Sequence, residues 1–273
     1  MTFAEMWAVA FPPLMWVLLV VSAVLCAVGF YKFVYFLSIG YGFAISGLGV
    51  TMLVLFCDSL SLPLILADAM FILYGIRLSG FLLVREWKNA SYRKTLTEAT
   101  KTEKPMPFFV KFVIWACVSV LYVMQVSPVY YAHSVGTMVE AVVYVGVAIM
   151  AIGLLLELVA DLQKSAQKKK NPSSVAMKGL YKLCRCPNYF GEILFWTGCF
   201  VAGVTSMTGV VQWIIAILGY ACIVYIMFNG AQRLEKRQME RYANDESYQA
   251  YVKKTPIILP LVPLYTLNRQ KKS

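Results

Sequence analysis

About seven stretches of roughly 20 apolar residues, each nearly free of charge, constrain this chain more than any other feature. That is the length a helix needs to cross a hydrocarbon core of ~30 Å. The bulk composition agrees, with 60% hydrophobic and only 14% charged residues in a chain of 273. A soluble domain carries about 25% charged residues. Too little polar surface remains here to cover a water-soluble globule. The sequence therefore predicts an all-α polytopic membrane protein, a single integral membrane domain over 1–273.

The first span runs from about Trp7 to Phe30, with Pro12-Pro13 near its start. Lys32 marks a short basic connection, and the second span covers about Phe33 to Phe56. Cys57-Asp58-Ser59 and Pro63 mark a turn before the third, about Leu64 to Val84. The fourth is about Pro107 to Tyr131 and the fifth about Val139 to Ala160. The sixth is about Tyr189 to Ser206 and the seventh about Gly209 to Asn229.

Charge orients these spans. Arg85, Lys88, Arg93, Lys94, Lys101 and Lys104 follow the third, and Lys164, Lys168, Lys169, Lys170, Lys178, Lys182 and Arg185 follow the fifth. The tail is basic as well. The loops after the second, fourth and sixth spans hold almost no Lys or Arg. Positive segments stay on the cytosolic side, so the N-terminus is expected outside and the C-terminus in the cytosol. The net charge of +11 is read as topology, and no nucleic-acid partner is expected. The first apolar run is too long for a cleavable signal and lacks a basic leader.

Metal chemistry finds little support. Most of the seven cysteines lie inside apolar runs and read as small buried hydrophobes. Cys184 and Cys186 have no second pair, a poor start for zinc. The one histidine, His133, is expected in a short outer loop, Ala132 to Gly136. That argues against a His-based metal site and a Ser-His-Asp triad.

Candidate chemistry gathers in four places. Asp161 ends the fifth span, ahead of Lys168-Lys169-Lys170. Interfacial, snorkelling charges are one reading, and a polyphosphate site is the other. The linker carries neither a P-loop nor a Rossmann glycine pattern. The block Arg185-Cys186-Pro187-Asn188-Tyr189-Phe190-Gly191-Glu192 then opens the sixth span. Pro187 suits a helix start, where free N–H groups and the dipole attract anions. Asn188 is an N-cap or a ligand group, and Glu192 shares its face at i, i+4. An acid one turn into a span is a functional-site hypothesis by default.

The third place is Tyr74 with Arg77, on one face at i, i+3 inside the third span. Tyr74 is a candidate donor to a substrate oxygen. Arg77 either snorkels or faces a polar cavity. Asp68, in the outer part of the same helix, reads as a capping group. Last, Arg233, Arg237 and Arg241 follow the seventh span at helical spacing, as topology charge or a phosphate clamp. Tyr248, Tyr251 and Pro260-Leu261-Val262-Pro263 suggest a tail that folds back.

From Asp161 through Arg185–Glu192 to Leu234-Glu235-Lys236-Arg237 and Tyr248, the chain resembles the steroid 5-alpha-reductase C-terminal superfamily, most closely its DUF1295 subgroup. The reductase-like part is about 107–265. The resemblance implies an NADPH-dependent enzyme that reduces an activated C=C bond of a lipid or steroid-like substrate. It implies Asp161, Asn188, Tyr189 and Glu192 at the nicotinamide half and ribose. Lys168, Arg233, Arg237 and Arg241 become phosphate candidates. Tyr74 becomes the catalytic hydroxyl that polarises the carbonyl, with Arg77 beside the substrate.

Two departures stand out. The second span has no acid to pair with that Tyr, and Cys186 replaces the usual His. A steroid, another enone, an enoyl thioester and an isoprenoid lipid are all open as substrates. Membrane methyltransferases that bind S-adenosylmethionine carry a similar Arg-His-Pro-x-Tyr block, and a non-catalytic lipid-binding protein is the third reading.

Overall fold

The computed structural model describes residues 11–88, 106–135 and 138–268. The expected start at Trp7, the basic residues Arg93, Lys94, Lys101 and Lys104, and the last five residues lie outside them. Among the described residues the chain is helical, without a strand. The helices are α1 Pro13–Cys26, α2 Ile39–Leu55, α3 Leu62–Lys88, α4 Phe108–Val135, α5 Glu140–Lys170, α6 Pro187–Gly203, α7 Val210–Arg241 and α8 Glu246–Lys254.

Five segments are long and apolar enough to cross a membrane: Pro13–Phe30, Leu62–Lys88, Phe108–Ser134, Glu140–Lys170 and Val210–Arg241. This makes the chain an integral membrane protein. Helix α2 is apolar but shorter, at 17 residues, as is α6. A helical 3-10 segment, Phe33–Leu37, precedes α2.

Two helices run well past their expected ends. Nothing between Ala160 and Lys170 breaks a helix, so α5 continues to Lys170 before Asn171-Pro172 stops it. Its 31 residues span about 46 Å, far more than a hydrocarbon core. Helix α7 likewise carries Gln232–Arg241 beyond its apolar part.

The chain divides into two compact units, Met1–Ala148 with Gly198–Tyr220, and Ile149–Thr197 with Ala221–Ser273. In the first, α2 and α3 meet along a seam of small residues. A Cβ on Gly75 would collide with the Gly42 carbonyl oxygen. Backbones so close let serines cross the seam: Ser46 Oγ donates to the Ile72 carbonyl (2.9 Å) and Ser79 Oγ to that of Ile39 (2.8 Å). Helix α1 is tied to α4 by Ser22 Oγ donating to the Ser119 carbonyl (3.0 Å) and Trp115 Nε1 to that of Ala23 (2.7 Å).

The first unit also corrects two expectations. His133 is not in a loop. It sits near the end of α4, buried, with Nε2 2.9 Å from Asp68 Oδ2. Asp68 is not a cap; it is a buried side chain within α3. The two side chains pair with each other between α3 and α4, so neither had to mark a helix end. Phe56 stacks on the imidazole at 4.8 Å.

In the second unit, α5 and α6 cross with equal intimacy. A Cβ on Gly153 would stand 2.6 Å from the Gly191 carbonyl oxygen. Beyond the crossing, glutamines on α5 hold the following segment. Gln167 Oε1 accepts the N–H groups of Met177 and Lys178, both at 3.0 Å, and Gln163 Oε1 that of Leu180 at 2.8 Å.

Candidate functional site

The sequence block that opens α6 is built by the tail. The N–H of Arg185 donates to the Pro256 carbonyl and that of Cys186 to the Ile257 carbonyl, both at 2.9 Å. The Cys186 carbonyl then accepts from Tyr189 and Phe190, so Cys186 takes the cap position and Pro187 the first helical one. Asn188 is therefore inside the helix and is not its cap. Cys186 packs with Ile193, Ala231, Ile257 and Ile258. Burial pushes its thiol up to about 12 and that of Cys184 to about 11. Both are packing residues, and both are neutral thiols at physiological pH.

Arg185 is buried and serves the architecture. Its guanidinium donates to Glu235 Oε1 (2.8 Å) and to the Tyr265 carbonyl. The other Glu235 oxygen accepts from the N–H of Leu267 (2.9 Å), the N–H of Asn268 (3.2 Å) and Asn268 Nδ2 (2.8 Å). This staple fixes the folded-back tail to α7. Asp245 caps α8; the Ser247 hydroxyl, then the Tyr248 N–H, hold its carboxyl below the usual range.

Four expected site residues come together around this frame. Tyr189 lies against Gly230 of α7, its hydroxyl 3.5 Å from where a Cβ would stand there. That hydroxyl is within electrostatic reach of Asp161 on α5, Glu192 on its own helix and Arg233 on α7. Glu192 is buried, and Trp196 Nε1 donates to its Oε1 at 3.1 Å. Asp161 and Asn188 are half-buried, and Arg233, Arg237 and Arg241 are exposed at helical spacing along α7.

A second group forms at Tyr242. Lys168 Nζ donates to its hydroxyl (3.1 Å) and to the Pro172 carbonyl (3.2 Å). The Arg241 guanidinium lies 5.6 Å from the same ring. Lys168 therefore has a structural duty.

Tyr74 and Arg77 belong to the first unit. Tyr74 is fully buried, edge-on to Tyr41 at 5.8 Å, and Tyr41 rests on Tyr122 at 4.7 Å. Arg77 is half-buried.

Two sets of residues escaped sequence reasoning. Glu157, one turn before Asp161, is buried where α5 meets Gly191. An acid inside an apolar run was the available signal. In the first unit, Tyr35 OH donates to Glu86 Oε2 (2.7 Å), and Lys32 pairs with the other oxygen. Glu86, an acid amid basic neighbours at the end of α3, carried no pattern that pointed to Tyr35.

The comparisons add one finding. The family described as "Protein of unknown function (DUF1295)" matches residues 27–255, so the chain belongs to that family. No curated protein and no solved structure matches it.

Proposed function

We propose that this DUF1295 member is an NADPH-dependent membrane reductase of an activated C=C bond, with an enone lipid as its substrate class. The observation that supports it is that Asp161, Glu192 and Arg233, on three helices, all lie within electrostatic reach of Tyr189. The neighbouring arginines of α7 extend that group with exposed positive charge.

The donor set fits the cofactor. NADPH carries a diphosphate, a further 2′-phosphate, ribose hydroxyls and a carboxamide. Arg233, Arg237 and Arg241 offer planar forks suited to phosphate, and Lys168 a point charge. Asp161 and Glu192 accept from hydroxyl or amide groups, and the Asn188 amide both donates and accepts. When bound, NADPH would supply the hydride.

Tyr74 would donate its phenolic hydrogen bond to the substrate carbonyl. That bond strengthens as negative charge moves onto the oxygen, which is what makes the β carbon electrophilic. Arg77, one turn along α3, favours the same charge.

The topology that suits this reading has seven spans, with α2 and α6 added to the five longer ones. The basic segments after α1, α3, α5 and α7 would face the cytosol, where NADPH is. The compartment would be the endoplasmic reticulum in a eukaryote and the inner membrane in a bacterium.

The test is thermal unfolding of purified protein with NADPH, NADH and S-adenosylmethionine in parallel. NADPH at 100 times its dissociation constant should add about 2.7 kcal/mol. NADH should bind more weakly, and Arg237→Ala should weaken NADPH about tenfold without changing the ligand-free midpoint. Stabilisation by S-adenosylmethionine alone would replace the reductase by a methyltransferase. Stabilisation by none would favour a non-catalytic lipid-binding protein.

A further inference from the structure

The folded-back tail ends in a loop that no part of the cofactor reading uses. Ile257 N donates to the Leu264 carbonyl (2.8 Å) and Leu264 N to that of Val262 (2.7 Å), which closes a tight turn over 257–264. At its tip Leu261 has a φ of 68°, the one positive φ on a non-glycine among the described residues. A leucine in that conformation is strained. Its side chain is 100% exposed. The tail held by Arg185 and Glu235 thus presents a fully exposed leucine at the tip of its loop.

Leu261 is not alone. Leu183, Val262 and Tyr265 are exposed beside it and line one groove with Lys182 and Pro256, of about 290 Å³. The inward side of the same tail, Leu259, Leu264 and Leu267, packs in one cluster with Val224, Met227 and Phe228 of α7. Those are the last residues of that helix's apolar stretch, so the loop sits level with its membrane-facing end. Lysines flank the apolar tip. Tyr251 OH donates to the Tyr181 carbonyl (2.6 Å), which sets the last turn of α8 beside Lys182. Lys182, Lys253 and Lys254 are all exposed there.

We propose that this loop is an interfacial anchor for an anionic bilayer. Leu261, Val262 and Leu183 enter the boundary between headgroups and acyl chains, and Lys182, Lys253 and Lys254 meet lipid phosphates. A protruding apolar tip with Lys182 in its groove and Lys253 and Lys254 at the end of α8 suits the interface plane, where apolar burial and electrostatic attraction add. The bilayer also accounts for the strain at Leu261, because only an outward-pointing leucine reaches it. Neither NADPH nor the reaction enters this proposal.

The test puts a benzophenone amino acid in place of Leu261 in the full chain, in nanodiscs of phosphatidylcholine with one part in about three phosphatidylglycerol. An exposed side chain makes the replacement harmless to folding. After irradiation, mass spectrometry should find lipid adducts, with phosphatidylglycerol enriched several-fold over its bulk share. Lys182→Gln, Lys253→Gln and Lys254→Gln together should return the adducts to the bulk ratio. Adducts to a second copy of the chain, no adducts, or lipid adducts without enrichment in the unaltered background would each overturn the proposal.

Discussion

Among the described residues, each unit buries a pair of ionisable side chains, and the two pairs are built differently. In the first unit, Asp68 and His133 meet through a single contact of 2.9 Å. The second carboxylate oxygen of Asp68 and Nδ1 of His133 make no further hydrogen bond among the described residues. In the second unit, Glu235 receives four hydrogen bonds, one from Arg185 and three from the tail. The first pair joins two helices that already pack. The second helps to build the geometry itself: with Gln232 of α7, which donates to the Leu267 carbonyl (2.9 Å) and accepts from Asn268 Nδ2 (3.2 Å), it holds the tail against α7. A buried pair stabilises only when its remaining lone pairs and protons are satisfied as well. Both oxygens of Glu235 meet that criterion, and Arg185 Nε alone of that pair has no hydrogen bond among the described residues, so the second unit depends on its pair more than the first does.

The largest effect should come from Glu235→Ala. It strands a buried Arg185 and releases the tail, at a cost of about 3–5 kcal/mol. Denaturation of purified protein measures the loss, and protease cleavage after Lys253 or Lys254 reports the freed tail. A tail that stays protected would break the comparison.

Gly75→Ala in the first unit should cost about 1–3 kcal/mol, because its methyl group must push α2 away from α3. The cost should appear without protease sensitivity in the tail. Packing, and not its ion pair, then carries the first unit.

A smaller effect sharpens the contrast further. Replacing both partners, Asp68→Leu with His133→Leu, should change stability by less than about 1 kcal/mol or raise it. The same exchange at Arg185 and Glu235 should destabilise, because the N–H groups of Leu267 and Asn268 lose their acceptor.

The smallest expected effect is none at all. Burial holds the thiols of Cys184 and Cys186 at about 11 and about 12. Their protonated form dominates throughout the neutral range, and at pH 8 roughly one Cys184 in a thousand is thiolate. Neither should be alkylated before unfolding, whereas in Glu235→Ala both should become reactive at neutral pH.

What the sequence made legible follows the same division. Apolar run lengths located the helices, since hydrocarbon thickness sets them directly. Their polar extensions were hidden, because α5 and α7 continue on helix-forming polar residues that hydropathy reads as loop. Asp161, Tyr189, Glu192 and Arg233 were visible because polar groups at span ends demand a reason, and the other three lie within electrostatic reach of Tyr189. Arg185 was visible only as part of a motif. Its duty depends on Glu235 of α7, 50 residues away, and on the tail at Tyr265, 80 residues away, which periodicity cannot register. His133 was misplaced for a related reason: its partner, 65 residues earlier, makes it a buried helical residue.

The most direct measurement of the central claim is hydrogen–deuterium exchange with and without NADPH. The cofactor should slow exchange in the segments around Asp161, Asn188–Glu192 and Arg233–Arg241, and leave the helix ends around Asp68 and His133 unchanged. Protection by S-adenosylmethionine instead, or protection by NADPH confined to the first unit, would contradict the assignment of cofactor binding to the second.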